Sequence, residues 1–349
     1  RLTFSENNIE EINLLIKRNN INWFEFFKYG FFNKTAILCW KNIKKLDINV
    51  YIPRQLNDVL KFSYLALKER NILFEEEKNN ILNLLMRNNI PAINVKGTHL
   101  IPILYGDYGV RFLGDIDFLI DYKDINKIIS VMNGNGYFQG KYNEKINKIE
   151  LLSRKEYLKW KMSMSNLHPF IRISENKLFS VYKIDFRYAL DDTLNTASLN
   201  EIMSHYLKFH NIRPMHYLVH LCTHLYDEAK QSMNVYLGKD INLIKFTDIR
   251  EYILKYMNKT EWTDAIQFSK RYNLNKQLYY ALYYLKQIFN DGYEDNYLRK
   301  IDIGEELFLV TYGNNTLTDE NIWKKDFFDR MFSCDNNDEL DYIPKFFDA

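Results

Sequence analysis

The sequence is poor in cysteine, glycine and proline. Its 349 residues include 3 cysteines, 12 glycines and 6 prolines. The cysteines, at positions 39, 222 and 334, lie far apart and form no CxxC pair, which argues against a disulfide framework or a cysteine-rich zinc site and favours a reducing compartment. Because glycine and proline are the main interruptions of helices, their scarcity predicts that long helices dominate the chain.

The chain also has little net charge and no long apolar run. No stretch approaches the roughly 20 apolar residues of a membrane helix, and the first residues, RLTFSENN, carry no basic-then-apolar targeting signal. We therefore expect a cytoplasmic protein with no membrane partner. A formal net charge of +2 gives no general electrostatic case for wrapping nucleic acid, which argues against long RNA and leaves short tRNA ends open.

Hydrophobic periodicity predicts three consecutive regions. Apolar side chains recur at helical spacing in residues 7–19, 22–46 and 55–88, and helical periodicity returns from about residue 198. Strand-like patterns lie between these helical parts. We predict an α+β chain with a helical N-terminal region (1–90), a small mixed-sheet α/β core (91–192) and a helical C-terminal region (193–349).

Within the core, three segments are typical of strands. AINV (92–95) is a short apolar run, whereas DIDFLID (115–121) and VYKIDFRYAL (181–190) alternate with a period of two. Helices are predicted between the first two segments, at about 98–105, and after the second, at 123–133, where Gly134-Asn135-Gly136 ends the helix.

The second strand carries the pattern with the clearest chemistry. Asp115 and Asp117 are two residues apart on a strand, so their side chains point the same way. Two neighbouring carboxylates are costly unless a positive charge lies between them, and Mg²⁺ prefers carboxylate and phosphate oxygens. Asp185, on the third strand, is placed to complete the cluster. A lone DxD is nevertheless a weak signal, which glycosyltransferases also carry.

An upstream turn strengthens this interpretation. Lys96-Gly97-Thr98 follows the first strand and opens a helix. A glycine at such a turn lets the backbone approach a phosphate, amides at a helix start bind anions, and Lys96 adds positive charge. Thr98 is able to cap the helix or to bind the phosphate. The three residues are therefore candidates for binding a triphosphate.

On these residues the sequence resembles the bacterial uncharacterised nucleotidyltransferases of the polymerase-β-like superfamily. Their pattern runs from an apolar strand into Lys-Gly, through a short helix ending near Tyr and an Arg, to Asp-apolar-Asp. It matches Val95-Lys96-Gly97, Tyr105, Arg111 and Asp115–Asp117 here, and less specifically Gly136-Tyr137 and the strand with Asp185. The resemblance covers roughly residues 35–260, and its flanks are weak.

The resemblance implies a polymerase-β-like fold and nucleotidyl transfer from a nucleoside triphosphate, with ATP as the first candidate. It implies two Mg²⁺ ions, which Mn²⁺ is able to replace, on the catalytic residues Asp115, Asp117 and Asp185. There are departures. Thr98 stands where relatives commonly have Ser, and residues 99–114 separate it from the first Asp. Arg187 stands where relatives often have His, which leaves the acceptor chemistry open.

Other polar residues are weaker candidates. Arg111 is able either to clamp a phosphate with its planar guanidinium or to tie the loop to Asp107. Three histidines, at 216, 220 and 224, share one face of a helix predicted at 214–231 but form no HExxH zinc motif. The resemblance favours a face that lines the active-site cleft, with His224 and Asp227 orienting nucleotide or acceptor. Asp240 has similar standing.

Three functions therefore remain open from the sequence. The first is a nucleotidyltransferase acting on a small molecule, a peptide, a protein or a tRNA end. The second is a catalytically silent module that binds a nucleotide or a partner. The third is a DxD glycosyltransferase, although the larger α/β domain usual before its DxD is not evident. The three carboxylates favour the first.

Overall fold

The computed structural model describes residues 9–18, 20–191, 193–313 and 321–340. The described chain forms two compact units from interleaved segments. Unit 1 comprises the described residues before Lys68, the short segment Gly109–Arg111, and the described residues from Leu221 onward. Unit 2 comprises Lys68–Tyr108 and Phe112–His220. The division into three consecutive regions stays a prediction.

The N-terminal region is helical, as its periodicity predicts. It contains α1 (Ile9–Arg18), α2 (Trp23–Phe32), α3 (Ala36–Lys45) and α4 (Arg54–Arg87). Residues 7, 8 and 19, at the ends of the first predicted helix, lie outside the described residues. The segment 22–46 is not one continuous helix. Lys34 has a φ of 60°, outside the right-handed helical region, and the buried Asn33 donates its side-chain amide to the Met331 carbonyl at 3.0 Å.

Unit 2 contains the sheet. In chain order its elements are β1 (Ala92–Val95), α5 (Gly97–Leu100), β2 (Ile116–Ile120), α6 (Ile125–Gly134), β3 (Phe138–Asn143), β4 (Lys148–Leu151), α7 (Arg154–Ser163), β5 (Phe170–Ile173), β6 (Val181–Arg187) and α8 (Ala197–Phe209). A π-helical turn, Ile101–Tyr105, continues α5, so the predicted helix is present but irregular. The next helix, α9 (Pro214–Lys230), belongs to unit 2 up to His220.

Within the described residues, six strands form one mixed sheet in the order β1-β2-β6-β5-β3-β4. The pair β2 and β6 is parallel, and the other neighbours are antiparallel. The predicted mixed sheet is thus confirmed. The sequence analysis missed β3, β4 and β5, and Arg187 ends β6 earlier than the alternation suggested.

The middle of this sheet is covered on both faces. All five residues of β2 are buried, including Asp117. Around it, Phe118, Phe170 and Phe186 are fully enclosed in the core of unit 2. The part of α4 that belongs to unit 2 contributes the buried carboxylate of Glu77. The Tyr137 hydroxyl donates to Glu77 at 2.8 Å, and Arg172 also binds Glu77. The aspartates of β2 and β6 are therefore held in a tightly packed layer.

Unit 1 contains the C-terminal helices that periodicity predicts. They are α10 (Ser232–Tyr236), α11 (Leu243–Tyr256), α12 (Lys259–Arg271), α13 (Asn275–Phe289), α14 (Asp295–Leu298) and α15 (Phe327–Met331), with a two-stranded ribbon of β7 (Thr311–Tyr312) and β8 (Asn321–Ile322). No helix in the described parts of the chain is long and apolar enough to cross a membrane.

A buried ion pair links two parts of unit 1. Arg330 donates to Asp240 at 2.7 Å, and the side chains are 1% and 3% exposed. The Arg330 guanidinium also lies 3.2 Å from the centroid of the Trp323 ring. These contacts give Asp240, a weak functional candidate in the sequence, a structural role.

We expect Asp240→Ala to lower the free energy of unfolding by about 3–5 kcal/mol, because it leaves a buried guanidinium without its carboxylate. Asp338→Ala is the matched control, since it removes an aspartate from an exposed pair with Lys325 and should leave stability nearly unchanged. Chemical denaturation of both variants measures the difference. Equal stabilities would contradict the structural role of Asp240.

Candidate active site

Strand register places the predicted catalytic carboxylates together. Asp117 on β2 is the direct partner of Asp185 on β6, and its antiparallel partner on the other side is Val95 of β1. Neighbouring strands lie about 4.8 Å apart, and paired residues point to the same face. Asp115 lies two residues before Asp117, just ahead of the strand. The three aspartates therefore form one acidic cluster within unit 2.

The cluster places strong charge repulsion on Asp117. Its side chain is 6% exposed. Burial, followed by the charges of Asp115 and Asp185, raises the pKa of Asp117 to about 8, and Lys96 opposes the shift. The surroundings of Asp117 therefore disfavour its ionised form unless a further positive charge is present.

Lys96 is the cation of the cluster. Its Nζ lies 2.5 Å from Oδ1 of Asp117. The residue links β1 to α5 with φ 55° and ψ −135°, a conformation that is costly for any residue with a Cβ atom. Strained backbone of this kind persists where the surrounding structure enforces it, and it is concentrated at functional sites.

Gly97 and Thr98 begin α5 and are both buried. Thr98 does not cap the helix through its side chain. Its hydroxyl instead accepts a hydrogen bond from the Asn94 amide at 2.7 Å, and the same amide donates to the Asp117 carbonyl at 3.0 Å. Asn94 therefore ties the predicted phosphate-binding turn to the strand that carries Asp117.

Two further residues hold the cluster, and the sequence analysis missed both. Asn166 donates its side-chain amide to Oδ1 of Asp185 at 2.7 Å. Arg70, on α4, donates to the Leu113 carbonyl at 2.5 Å, on the approach to Asp115. Burial lowers the pKa of Arg70 to about 10 and the nearby Asp115 opposes this shift. Neither residue belongs to a recognisable motif.

Arg111 and His224 belong to unit 1, whereas the aspartates belong to unit 2. Arg111 makes a forked contact with Asp248, with Nε 3.0 Å and Nη2 2.6 Å from Oδ2. His224 lies 3.3 Å from Glu228. For both residues, nucleotide binding stays a prediction that requires a carboxylate partner to be exchanged.

The three histidines of α9 have different surroundings. His220 is fully buried, and its pKa lies well below the usual value because of burial and then the charges of Lys96 and Arg187. His216 lies 3.8 Å from Glu201, and burial lowers its pKa to about 4. The electrostatics of His220 thus include Lys96, and the nucleotide-binding role of His224 stays a prediction.

The carboxylate oxygens of the three aspartates are donors that suit magnesium, although the side chains are not arranged as a complete coordination sphere. Among the described residues, no three His, Cys, Asp or Glu side chains are arranged to hold a metal ion. The Asp117 carboxylate contacts the Lys96 ammonium, and the Asp185 carboxylate accepts a hydrogen bond from the Asn166 side chain. Magnesium, however, is usually held by one or two carboxylates together with substrate phosphates. The repulsion that raises the pKa of Asp117, which a cation would reduce, and the all-oxygen donor set fit such an ion.

Comparison with known proteins agrees with the geometry. A family profile described as uncharacterised nucleotidyltransferase matches residues 19–290. Comparisons with curated proteins and with solved structures gave no significant match. The matched segment extends beyond residues 35–260, where the resemblance was seen in the sequence, and contains the turn at Lys96 and all three aspartates. The chain therefore belongs to the uncharacterised nucleotidyltransferase family.

Proposed function

We propose that the protein is a magnesium-dependent enzyme that transfers a nucleoside monophosphate from a nucleoside triphosphate to a hydroxyl or phosphate group. AMP from ATP is the transfer to test first. The sequence leaves the acceptor open among a small molecule, a peptide, a protein and a tRNA end. The observation that carries the proposal is the register of Asp117 against Asp185, because it brings carboxylates from two strands to one point.

Asp115, Asp117 and Asp185 are the residues that would hold magnesium. Two such ions, or manganese in their place, supply positive charge that stabilises the triphosphate and lowers the pKa of the attacking group. Lys96 exchanges Asp117 for a phosphate oxygen, and its backbone conformation already directs the side chain to the cluster. Gly97 and Thr98 bring backbone amides to the same phosphates.

Asp185 accepts the proton of the acceptor. The acceptor oxygen forms a bond to the α-phosphorus, the bond from that phosphorus to the β-bridging oxygen breaks, and pyrophosphate leaves. Asn166 holds Oδ1 of Asp185, which fixes the orientation of the carboxylate during this step. For a hydroxyl acceptor, the proton moves from the hydroxyl to this carboxylate, so atoms and charge balance.

Asp117→Ala is expected to lower magnesium-dependent transfer by about 10³-fold or more, because electrostatic stabilisation is usually the largest single contribution to such catalysis. Release of pyrophosphate from ATP, with magnesium and cell extract as a source of acceptor, measures the loss. Asp302→Ala is the matched control, since Asp302 is exposed and lies in unit 1. Circular dichroism confirms that both variants are folded.

Retained transfer by the Asp117 variant would contradict this mechanism. No turnover with any nucleotide, together with no magnesium-dependent nucleotide binding, would instead favour a catalytically silent module. Thermal-shift measurements with ATP and with UDP-sugars separate a nucleotide donor from a nucleotide-sugar donor, because a bound ligand raises apparent stability.

The strained backbone of Lys96 gives a second prediction. Lys96→Gly and Lys96→Ala both remove the ammonium group, so both should abolish transfer. The glycine variant should nevertheless be the more stable of the two by about 1–2 kcal/mol, because glycine adopts positive φ without a steric cost. Urea denaturation measures the difference.

The same pair of substitutions at Lys159, which is exposed and lies in the middle of α7, serves as the control. There alanine should be more stable than glycine, since it is the better helix former. If alanine is also the more stable residue at position 96, the backbone at Lys96 is not strained in solution.

A further inference from the structure

Unit 2 contains a cavity of about 290 Å³ that the proposed mechanism does not use. It lies beyond the last residues of the parallel strands β2 and β6, against α7. In open sheets with parallel strands, ligands commonly bind beyond the carboxyl ends of those strands. The polar and aromatic residues of its lining that matter here are Tyr122, Tyr157, Trp160, Asn166, His168 and Tyr188.

The cavity is joined to the acidic cluster by one residue. Asn166 lines the cavity, and its side-chain amide donates to Asp185. The backbone of Asn166 is also fixed, because its carbonyl accepts the indole N–H of Trp160 at 3.0 Å and it forms an isolated bridge with Arg187. The Asn166 side chain therefore connects the cavity to the carboxylate of Asp185, the proposed proton acceptor.

Strand order separates this cavity from the phosphate-binding turn. Lys96 follows β1 at one edge of the sheet, and β2 and then β6 come next. The cavity is lined by Tyr122 beyond β2, by Tyr188 beyond β6 and by Asn166 before β5, and its lining does not include Lys96. An acceptor bound there would approach Asp185 past Asn166, whereas a triphosphate at Lys96 would approach the aspartates from β1.

The lining suits a flat, uncharged ring. The rings of Tyr122 and Tyr188 meet at 5.4 Å, and those of Trp160 and His168 at 4.7 Å. Burial lowers the pKa of His168, which favours the uncharged imidazole. Nucleobases stack on aromatic side chains of this kind. The volume is at the small end of ligand sites, about 300–1,000 Å³, which suits one nucleoside rather than a nucleoside triphosphate.

The helix beside the cavity is basic, although the whole chain is nearly neutral. Helix α7 has the sequence RKEYLKWKMS, with four basic residues and one acidic residue. Arg154 and Lys161 are three and four residues from Tyr157, so they share its face of the helix, and both are exposed. Lys155 and Lys159 are also exposed but lie on another face. Basic side chains next to a stacking site are typical of surfaces that bind single-stranded nucleic acid.

We propose that this cavity binds the terminal nucleoside of a single-stranded polynucleotide, which is the acceptor of the transfer. The terminal base stacks on Tyr157 and Trp160, the preceding phosphates contact Arg154 and Lys161, and the terminal hydroxyl faces Asp185. The inference rests on the proposed function, and it selects the nucleic-acid end among the acceptors that the sequence leaves open.

Two double variants of α7 test the phosphate contacts. The probe is a fluorescently labelled single-stranded oligonucleotide of about ten nucleotides, used as RNA and as DNA, and binding is followed by anisotropy. Arg154→Ala with Lys161→Ala should weaken binding about tenfold or more and lower the salt slope by about 0.7 for each lost contact. Lys155→Ala with Lys159→Ala removes the same charge from another face and should weaken binding by less than about twofold.

A second pair of variants tests the stacking. Tyr157→Ala should weaken binding of the oligonucleotide about fivefold or more, the lower end of what one lost base–aromatic stack costs. Tyr157→Phe keeps the ring and should bind within about twofold of the wild type. Transfer from α-labelled ATP to the same oligonucleotide, detected on a gel, should fall in parallel with binding.

The outcomes separate this inference from the proposed function. Wild-type protein that binds magnesium–ATP but neither oligonucleotide overturns the inference and leaves the proposed function standing. Equal weakening by the two α7 variants also overturns it, because general electrostatics would then explain binding. Binding of free adenosine without binding of the oligonucleotide shows a small-molecule acceptor. Binding of the oligonucleotide without binding of magnesium–ATP contradicts the proposed nucleotidyl transfer. The cavity would then bind a polynucleotide, but not as the acceptor of a transfer.

Discussion

The candidate site depends on the contact of Lys96 with Asp117 across the junction of β1 and β2. Asp117 is buried between two other carboxylates, an arrangement that is costly without a neighbouring positive charge. Lys96 supplies that charge for Asp117, and Arg70 lies near Asp115. The raised pKa of Asp117 reflects the repulsion that remains, which a divalent cation between the carboxylates would reduce.

The residues around this contact explain why the cluster keeps its geometry. Asn94 connects Thr98 to β2, Asn166 orients Asp185, and Arg70 binds the backbone just before Asp115. Each donates a hydrogen bond from a side chain that is itself fixed by packing. Catalytic sites need supporting hydrogen bonds of this kind, because a small displacement of a catalytic group greatly lowers its contribution to the reaction rate.

The parts of the fold and site that were predicted are those encoded locally. Asp117 and Asp185 lie in alternating strands, Asp115 lies just before one, and Lys96-Gly97 lies at a strand end, so local spacing and the family resemblance together were enough to propose one site. Asn166 and Arg70 act through contacts between distant segments, and no local pattern marks such residues. Most residues of β3 and β4 are at least partly exposed, so the alternation of apolar and polar residues along these strands is weak. Among the histidines, periodicity identified the shared face but not which ring lies near Lys96.

Net charge alone does not decide between the possible acceptors, for a physical reason. Exposed charges act over about one Debye length, roughly 8 Å at physiological ionic strength, so a binding surface is determined by its local charges rather than by the total. An acidic cluster repels the phosphates of a polynucleotide. An enzyme that uses such an acceptor therefore needs its basic residues beside the cluster and not within it, so that they attract the backbone while the terminal hydroxyl reaches the carboxylate. Lys161 lines the cavity that Asn166 joins to Asp185, and Arg154 shares its face of α7, so both would meet that requirement for the proposed acceptor.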